Sequence, residues 1–553
     1  MKHTFTLYAP TSDSVLCHCT AWVDQPKPMT KGPDGTWTLT EELPDGTHSY
    51  RYELTSRSWF NSGKRVLIAD PMARQLTPDE KSTILRIPAP GPAESYQWRN
   101  DDRPQPERER IAIYECFIQD FTRAGTFAAA GERLAGIAAL GFTAVELLPL
   151  MGCDGRKSWG YTPSFFFAVE PRYGTEAELC RLIDDAHGLG MLVLFDGVYN
   201  HASQDCPLTH IDHDAYFYHD PKDPAHAWGP QFNYSFCLPG TSEFPARHFI
   251  KQKVTHWIRQ FHVDGIRYDA VAQMRDDAFL FELTDWTRDV AGVKPFYSIA
   301  ECIPMKDGLL GPDGAMDACW NESFSKRLRA LLAGNWDGDS LEACFDCRRD
   351  AFPSGRDAVN YLGTHDSGHT VWFLREQGVD EGEAIRRMHL GFAVLLTAPG
   401  VPMVWMGDEF GAMDPPTQVP HPLPWQLAED GPRRALRDWV GSLLALRHAH
   451  AALRGDNVAI LQRDDAQRTL AVHRWDDAGG RIIVVVHAGD GDAGVTLTAP
   501  APGAWQASGD VLVMTDGPQH ELRVSLGPWQ ALVLVHAGVQ PADRDAPAVD
   551  QHA

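Results

Sequence analysis

The alternation of apolar and polar positions divides the chain into three textures. From Met1 to about Ala89, short alternating runs at Thr4–Tyr8, Thr36–Thr40 and His48–Glu53 are separated by the turn signals Pro33-Asp34-Gly35 and Pro44-Asp45-Gly46. Period-two alternation broken by such turns predicts antiparallel strands, so residues 1–89 are expected to form a β-sandwich. Residues 90–110 are Pro-rich and charged and are expected to be a linker. Beyond them, short apolar runs alternate with helical periodicity, the pattern of βα units around a parallel sheet. The predicted strands are Ile111–Cys116, Ala144–Leu148, Met191–Phe195, Gly265–Tyr268, Phe296–Ala300, Ala315–Trp320, Val359–Leu362 and Val404–Trp405. Helices are predicted near Gly131–Leu140, Glu176–Leu189, Ala246–Phe261, Ala278–Val290, Phe324–Leu332, Glu383–Leu396 and Ala435–Arg447. Eight such strands predict an α/β fold, a (β/α)8 TIM barrel over residues 111–450, whose functional groups gather at the C-terminal strand ends.

Residues 200–245 are too long for a simple connection and are expected to be a loop excursion that walls a cleft. From residue 451 to 540 alternation returns, at Val458–Gln462, Thr469–His473, Arg481–His487, Val495–Thr498, Val511–Met514 and Ala531–Val535. This predicts a C-terminal antiparallel β domain, here a second sandwich, and residues 541–553 are expected to be a disordered tail.

Composition narrows the function. A formal net charge of −24 disfavours nucleic acid and anionic membrane surfaces as partners and suits a neutral substrate. No apolar run approaches the roughly 18–20 residues of a membrane span, and the alternating N-terminus has no apolar h-region, so a cytoplasmic protein is expected. The eleven cysteines are scattered, and Cys344-x-x-Cys347 has no second pair to complete a zinc site. No metal or cofactor is expected, and no glycine-rich phosphate loop follows a strand.

Val263-Asp264-Gly265-Ile266-Arg267-Tyr268-Asp269-Ala270 puts an Arg and an Asp two residues apart at one strand end, where side chains of equal parity point the same way. Alone, the pair reads as a structural ion pair. The residues after the other predicted strands change that reading, because Glu301 follows the fifth and Thr364-His365-Asp366 follows the seventh. Asp269, Glu301 and Asp366 thus reach one barrel face from different strands, and gathering like charges is costly unless it serves chemistry.

Asp196–His201, Gly265–Met274, Ile299–Glu301 and Gly363–Asp366, in that order, resemble the four short regions of the α-amylase superfamily, glycoside hydrolase family 13. Trp159-Gly160-Tyr161 and Met406–Gly411 resemble two further segments of that family. The resemblance implies that Asp269 is the nucleophile, that Glu301 is the general acid and base, and that Asp366 stabilises the transition state. It implies that Arg267 keeps Asp269 ionised, that His201 and His365 donate to sugar hydroxyls, and that Tyr161 stacks on the sugar. The pair would act by retention, with carboxyl groups about 5–5.5 Å apart and Glu301 partly desolvated so that it keeps its proton. Asp196 and Asn200 are expected to hold the strand end. In many members that Asn helps to bind calcium, but the short loop after it offers no convincing set of oxygen ligands.

Ala270–Met274 differs from the Lys-His ending common in α-amylases and resembles branching enzymes and malto-oligosyltrehalose trehalohydrolases. So do Ile113-Tyr114-Glu115, Gly125-Thr126-Phe127 and Trp228–Tyr234. Asp317–Phe324 resembles the trehalohydrolases most, whereas Thr364-His365-Asp366-Ser367 fits neither group's usual ending. The implied function is hydrolysis of an α-1,4-glucosidic linkage in malto-oligosaccharides or malto-oligosyltrehalose, with an α-glucan as partner. The alternatives are a 1,4-α-glucan branching transglycosylase and, from another class, a non-catalytic α-glucan-binding protein.

Overall fold

The computed structural model describes residues 1–22, 25–87, 96–153, 159–222, 224–507, 512–515 and 520–537. At its centre eight parallel strands close into a barrel: β1 Ile113–Cys116, β2 Ala144–Leu147, β3 Leu192–Gly197, β4 Gly265–Tyr268, β5 Tyr297–Ala300, β6 Ala318–Trp320, β7 Ala358–Tyr361 and β8 Val401–Trp405. Each pairs with the next in sequence, and β8 returns to β1 with Val404 beside Tyr114. All eight predicted strands are present, each displaced by a few residues at most.

The strands are buried on both faces, which is why they read as continuous apolar runs rather than as alternation. The lumen holds Ile113, Ala144, Leu192, Leu194, Tyr297, Ile299, Trp320, Tyr361 and Met403. Two residues further along their strands, Glu115, Glu146, Asp196 and Arg267 are buried too, so a polar layer lies over an apolar plug. Gly265 is required on β4 because a Cβ there would lie 2.3 Å from the Tyr297 carbonyl oxygen on β5.

The surrounding helices begin at caps the sequence supplies. Thr175 and Glu178 form a reciprocal capping box on Glu176–Gly188, and Asp276, Asn321 and Asp380 each accept a backbone amide at later helix starts. Residues 96–110, within the stretch expected as a linker, lie against the barrel. Trp98 stacks on His262 with centroids 4.2 Å apart, Arg99 pairs with Asp184 at 2.8 Å, and Gln105 donates to Asp264 at 2.6 Å.

Several elements were not expected. After β2 the chain forms an antiparallel hairpin of Met151–Cys153 and Pro163–Val169, and Thr370–Glu376 is helical. The excursion at 200–245 contains the helix Pro207–Tyr216 and is tied down by single bridges from His201 to Gln231 and from Phe217 to Phe232.

At the N-terminal end, Lys2–Tyr8 pairs with Thr36–Glu42, and a five-stranded antiparallel sheet is built around Gly46–Thr55. At the C-terminal end, Thr469–Trp475, Arg481–His487 and Gln530–His536 are central in a six-stranded antiparallel sheet, with a two-stranded sheet beside it. Two strands of this end, Ala504–Ala507 and Glu521–Leu526, were not predicted. Arg474 joins the C-terminal sheet to the barrel, donating from burial to the carbonyl oxygens of Thr397 and Gly455. The expected tail at 541–553 lies outside the described residues.

Candidate active site

Parallel strands deliver their last inward residues to one rim. Asp196 comes from the end of β3 and Arg267 from β4, while Asp269 and Glu301 each sit one residue beyond β4 and β5. Arg267 is wholly buried and organises the other three. Its Nη1 donates to Asp196 Oδ1 and Oδ2 at 2.8 and 2.9 Å and to Asp269 Oδ1 at 2.9 Å. Its Nη2 lies 2.8 Å from Glu301 Oε2, an ion-pair contact without hydrogen-bond alignment. The guanidinium stands over the Trp320 ring, 4.4 Å from its centroid.

After Asp269 the backbone turns sharply. Ala270 is left-handed, with φ 48° and ψ 46°, and its amide donates to Glu301 Oε2 at 2.9 Å. A residue with a Cβ adopts this conformation at a cost, and here it aims an amide at the candidate acid. Glu301 is half-buried.

One guanidinium faces three carboxyls. Burial pushes the Asp269 carboxyl well above the usual range; Arg267 opposes that, while Glu301, Asp196 and Asp366 add to it. Asp196 is raised for the same leading reason, against the pull of Arg267 and the Tyr161 hydroxyl. Arg267 therefore does not by itself hold Asp269 at an ordinary carboxylate level.

The second group lies on the loop after β7. The His365 ring stacks on Tyr161 with centroids 5.1 Å apart and planes inclined by 18°. Its Nδ1 lies 2.7 Å from Glu115 Oε1, and its Nε2 lies 3.4 Å from Asp366 Oδ1. Burial disfavours the imidazolium, but Asp366 and Glu115 outweigh it, and the ring is pushed up to about 9. The Asp366 side chain is 55% exposed, which places it at the rim.

Two candidates differ from expectation in detail. The Tyr161 hydroxyl donates to Asp196, and its ring is stacked by His365 and faced by the Arg267 guanidinium 5.6 Å from its centroid, so protein groups occupy much of the surface expected to meet a sugar. His201 has Nε2 2.7 Å from the Tyr161 carbonyl oxygen, and burial pushes the ring down to about 4. A neutral ring donating from Nε2 has Nδ1 left as an acceptor, so His201 pins the loop and would accept from a hydroxyl rather than donate. Asp196 holds the strand end as expected. Asn200 Oδ1 is buried without a hydrogen-bond partner among the described residues, yet no three His, Cys, Asp or Glu converge on a common point among those residues. All eleven cysteines are free.

Glu115 and Trp320 escaped sequence reasoning as parts of the site. Glu115 stands in Ile113-Tyr114-Glu115, where an acid inside an apolar strand was the available signal.

Residues 100–235 match the family described as alpha amylase, catalytic domain. The chain is 26% identical to the malto-oligosyltrehalose trehalohydrolase of Rhizobium sp. (strain M-11), over 91% of this chain and 92% of that one. It is 28% identical to the 1,4-alpha-glucan branching enzyme GlgB of Burkholderia cenocepacia (strain HI2424), over 91% of this chain and 74% of the relative. The putative alpha amylase structure from Salmonella typhimurium superposes with a TM-score of 0.75 at 21% identity, covering 97% of this chain and 98% of that one, which supports the fold.

Proposed function

We propose that this protein is a retaining glycoside hydrolase that cleaves an α-1,4-glucosidic linkage in malto-oligosaccharides or malto-oligosyltrehalose. The observation that carries the proposal is that one buried guanidinium grips both Asp269 and Glu301 at the C-terminal barrel face. Two carboxyls held by the two ends of one fork suit the roughly 5–5.5 Å of a retaining pair better than the 6.5–9.5 Å of an inverting one.

In the first step an Asp269 oxygen attacks the anomeric carbon as Glu301 gives its proton to the departing glycosidic oxygen, leaving a glycosyl ester on Asp269. In the second, Glu301 takes a proton from water, the hydroxide oxygen bonds to the anomeric carbon, and Asp269 leaves as carboxylate. Asp366 stabilises the positive charge that develops on the sugar in both steps. Arg267 orients the pair, and its charge favours the Asp269 carboxylate at the moment it must leave. Tyr161, His201 and His365 line the same sugar.

Similarity to a trehalohydrolase over nearly the full length of both chains supports the hydrolytic reading over branching, where the relative is longer. All three carboxylates are present, which weighs against a purely binding role. No described helix is long and apolar enough to cross a membrane, and the free cysteines favour the proposed cytoplasmic site of action.

The test offers linear malto-oligosaccharides, malto-oligosyltrehalose and amylose in parallel, with products separated by chromatography. Release of free trehalose or short malto-oligosaccharides is expected. New α-1,6 branches without new reducing ends would replace hydrolysis by branching, and binding without turnover would leave only the non-catalytic reading.

A further inference from the structure

Glu115 is the carboxylate of the polar layer that touches His365 from beneath. It is wholly buried on β1, 250 residues from its partner in sequence, and its Oε1 lies 2.7 Å from His365 Nδ1. A His with a carboxylate on one nitrogen has its tautomer and ring plane set by that contact, and the other nitrogen is then a directed donor. The other nitrogen here is Nε2, 3.4 Å from Asp366 Oδ1 at the rim. The ring is also clamped in place, by Tyr161 against its face and by the rings of Trp159, Trp320 and Trp405 with centroids at 5.3, 6.3 and 6.2 Å.

We propose that Glu115 is a positioning residue of this site: through Nδ1 it holds His365 as a doubly protonated ring whose Nε2–H faces Asp366 and the sugar bound there. The proposal rests on the hydrolase reading for its effect on turnover, but the hold of Glu115 on His365 does not depend on it.

The groups facing His365 give this hold its sign. Glu115 on β1 and Asp366 on the same loop favour the imidazolium, while burial and Arg267 on β4 oppose it. Asp196 on β3 and Glu146 on β2 each have their carboxyl pulled down by His365, so they favour its charged form in return. Glu146 stands beside Glu115 in the parallel register, and neither of its oxygens has a hydrogen-bond partner among the described residues. Burial pushes it well above the usual carboxylate range. Burial pushes Glu115 up as well, but the charge and hydrogen bond of His365 oppose that, and of the two glutamates only Glu115 touches the ring.

The test uses Glu115→Gln in the full chain, which keeps size and a carbonyl acceptor but removes the charge, with Glu146→Gln as a control that places the same amide one strand away. Wild type and both variants are compared for kcat and KM on a malto-oligosaccharide from about pH 5 to 10. For Glu115→Gln, kcat is expected to fall at least tenfold at pH 8 with KM within about threefold, the deficit shrinking below pH 6, where an ordinary imidazole is protonated anyway. The alkaline limb should move to lower pH in Glu115→Gln and stay in place in Glu146→Gln. A deficit that is equal at every pH, or one matched by Glu146→Gln, would mean that Glu115 only fills space and would overturn the proposal.

A second measurement separates this outcome from failure of the hydrolase reading. The His365 ring is titrated by NMR with ring-13C histidine, assigned by its absence in His365→Gln. It is expected to titrate near 9 in the wild type, and in Glu115→Gln the proton should dissociate at least tenfold more readily. An unchanged titration would refute the proposal even for a protein inactive on every α-glucan, and a shifted one would sustain it.

Discussion

Replacing Arg267 by Met removes the guanidinium that contacts Asp196, Asp269 and Glu301 while keeping most of the side-chain volume. Arg267 is wholly buried, as is Asp196, and breaking a buried ion pair by deleting one partner costs about 3–5 kcal/mol. Part of that loss is escapable, because the stranded carboxyls can bind protons. Asp269 and Asp196 already lie above the usual range, and losing Arg267 moves both further up. A group raised in the folded state contributes stability that is complete below its unfolded pKa and is lost as pH rises through the folded one. The variant should therefore be destabilised by roughly 3 kcal/mol or more at pH 8, and by clearly less near pH 5. Turnover should fall about a thousandfold, since roughly 4 kcal/mol of orientation and charge is removed from both reacting groups. Arg267→Lys, which keeps the charge but cannot hold two carboxyls in one fork, should fall between the two. Thermal unfolding followed by circular dichroism at several pH values, with kcat/KM at each, is the assay. A pH-independent loss below about 1 kcal/mol with turnover within tenfold of wild type would show that Arg267 organises nothing.

Three further outcomes are expected. Tyr161→Phe keeps the stack on His365 but deletes the hydroxyl that Asp196 accepts, so kcat/KM should fall about tenfold, in line with roughly 1.5 kcal/mol for a hydrogen bond to a charged group; an unchanged value would contradict that role. Gly265→Ala forces a Cβ onto the Tyr297 carbonyl oxygen and should cost at least about 2 kcal/mol or prevent soluble expression; a melting curve like the wild type's would be the contrary result. Prolonged dialysis against a chelator should leave the activity within about twofold, because no step of the proposed mechanism uses a metal, and activity restored only by calcium would contradict this.

The barrel was legible because short apolar runs alternating with capped, amphipathic helices are what a doubly covered parallel strand and its crossover require. The same logic should have disclosed Pro163–Val169, whose Phe165–Val169 run is buried throughout. Its partner Met151–Cys153 is too short to signal a hairpin. Asp269, Glu301 and Asp366 were legible from their places after strands, yet the hub that Arg267 makes of them was not. An R-x-D spacing shows one contact, and the others come from β3 and from beyond β5. The Glu115 contact with His365 spans 250 residues and carries no local signal. For His201, the residue type was informative but the atom was not: which nitrogen meets Tyr161 depends on how the loop before the hairpin is folded back.

The account stands on Asp269 as a nucleophile with Glu301 beside it, and the stereochemistry of the first product reports on that pair directly. Proton NMR recorded within the first minutes of malto-oligosaccharide cleavage, before mutarotation, should show the new reducing end as the α anomer. An initial β anomer would mean direct attack by water and would contradict the assignment of Asp269 as the group that bonds to the sugar.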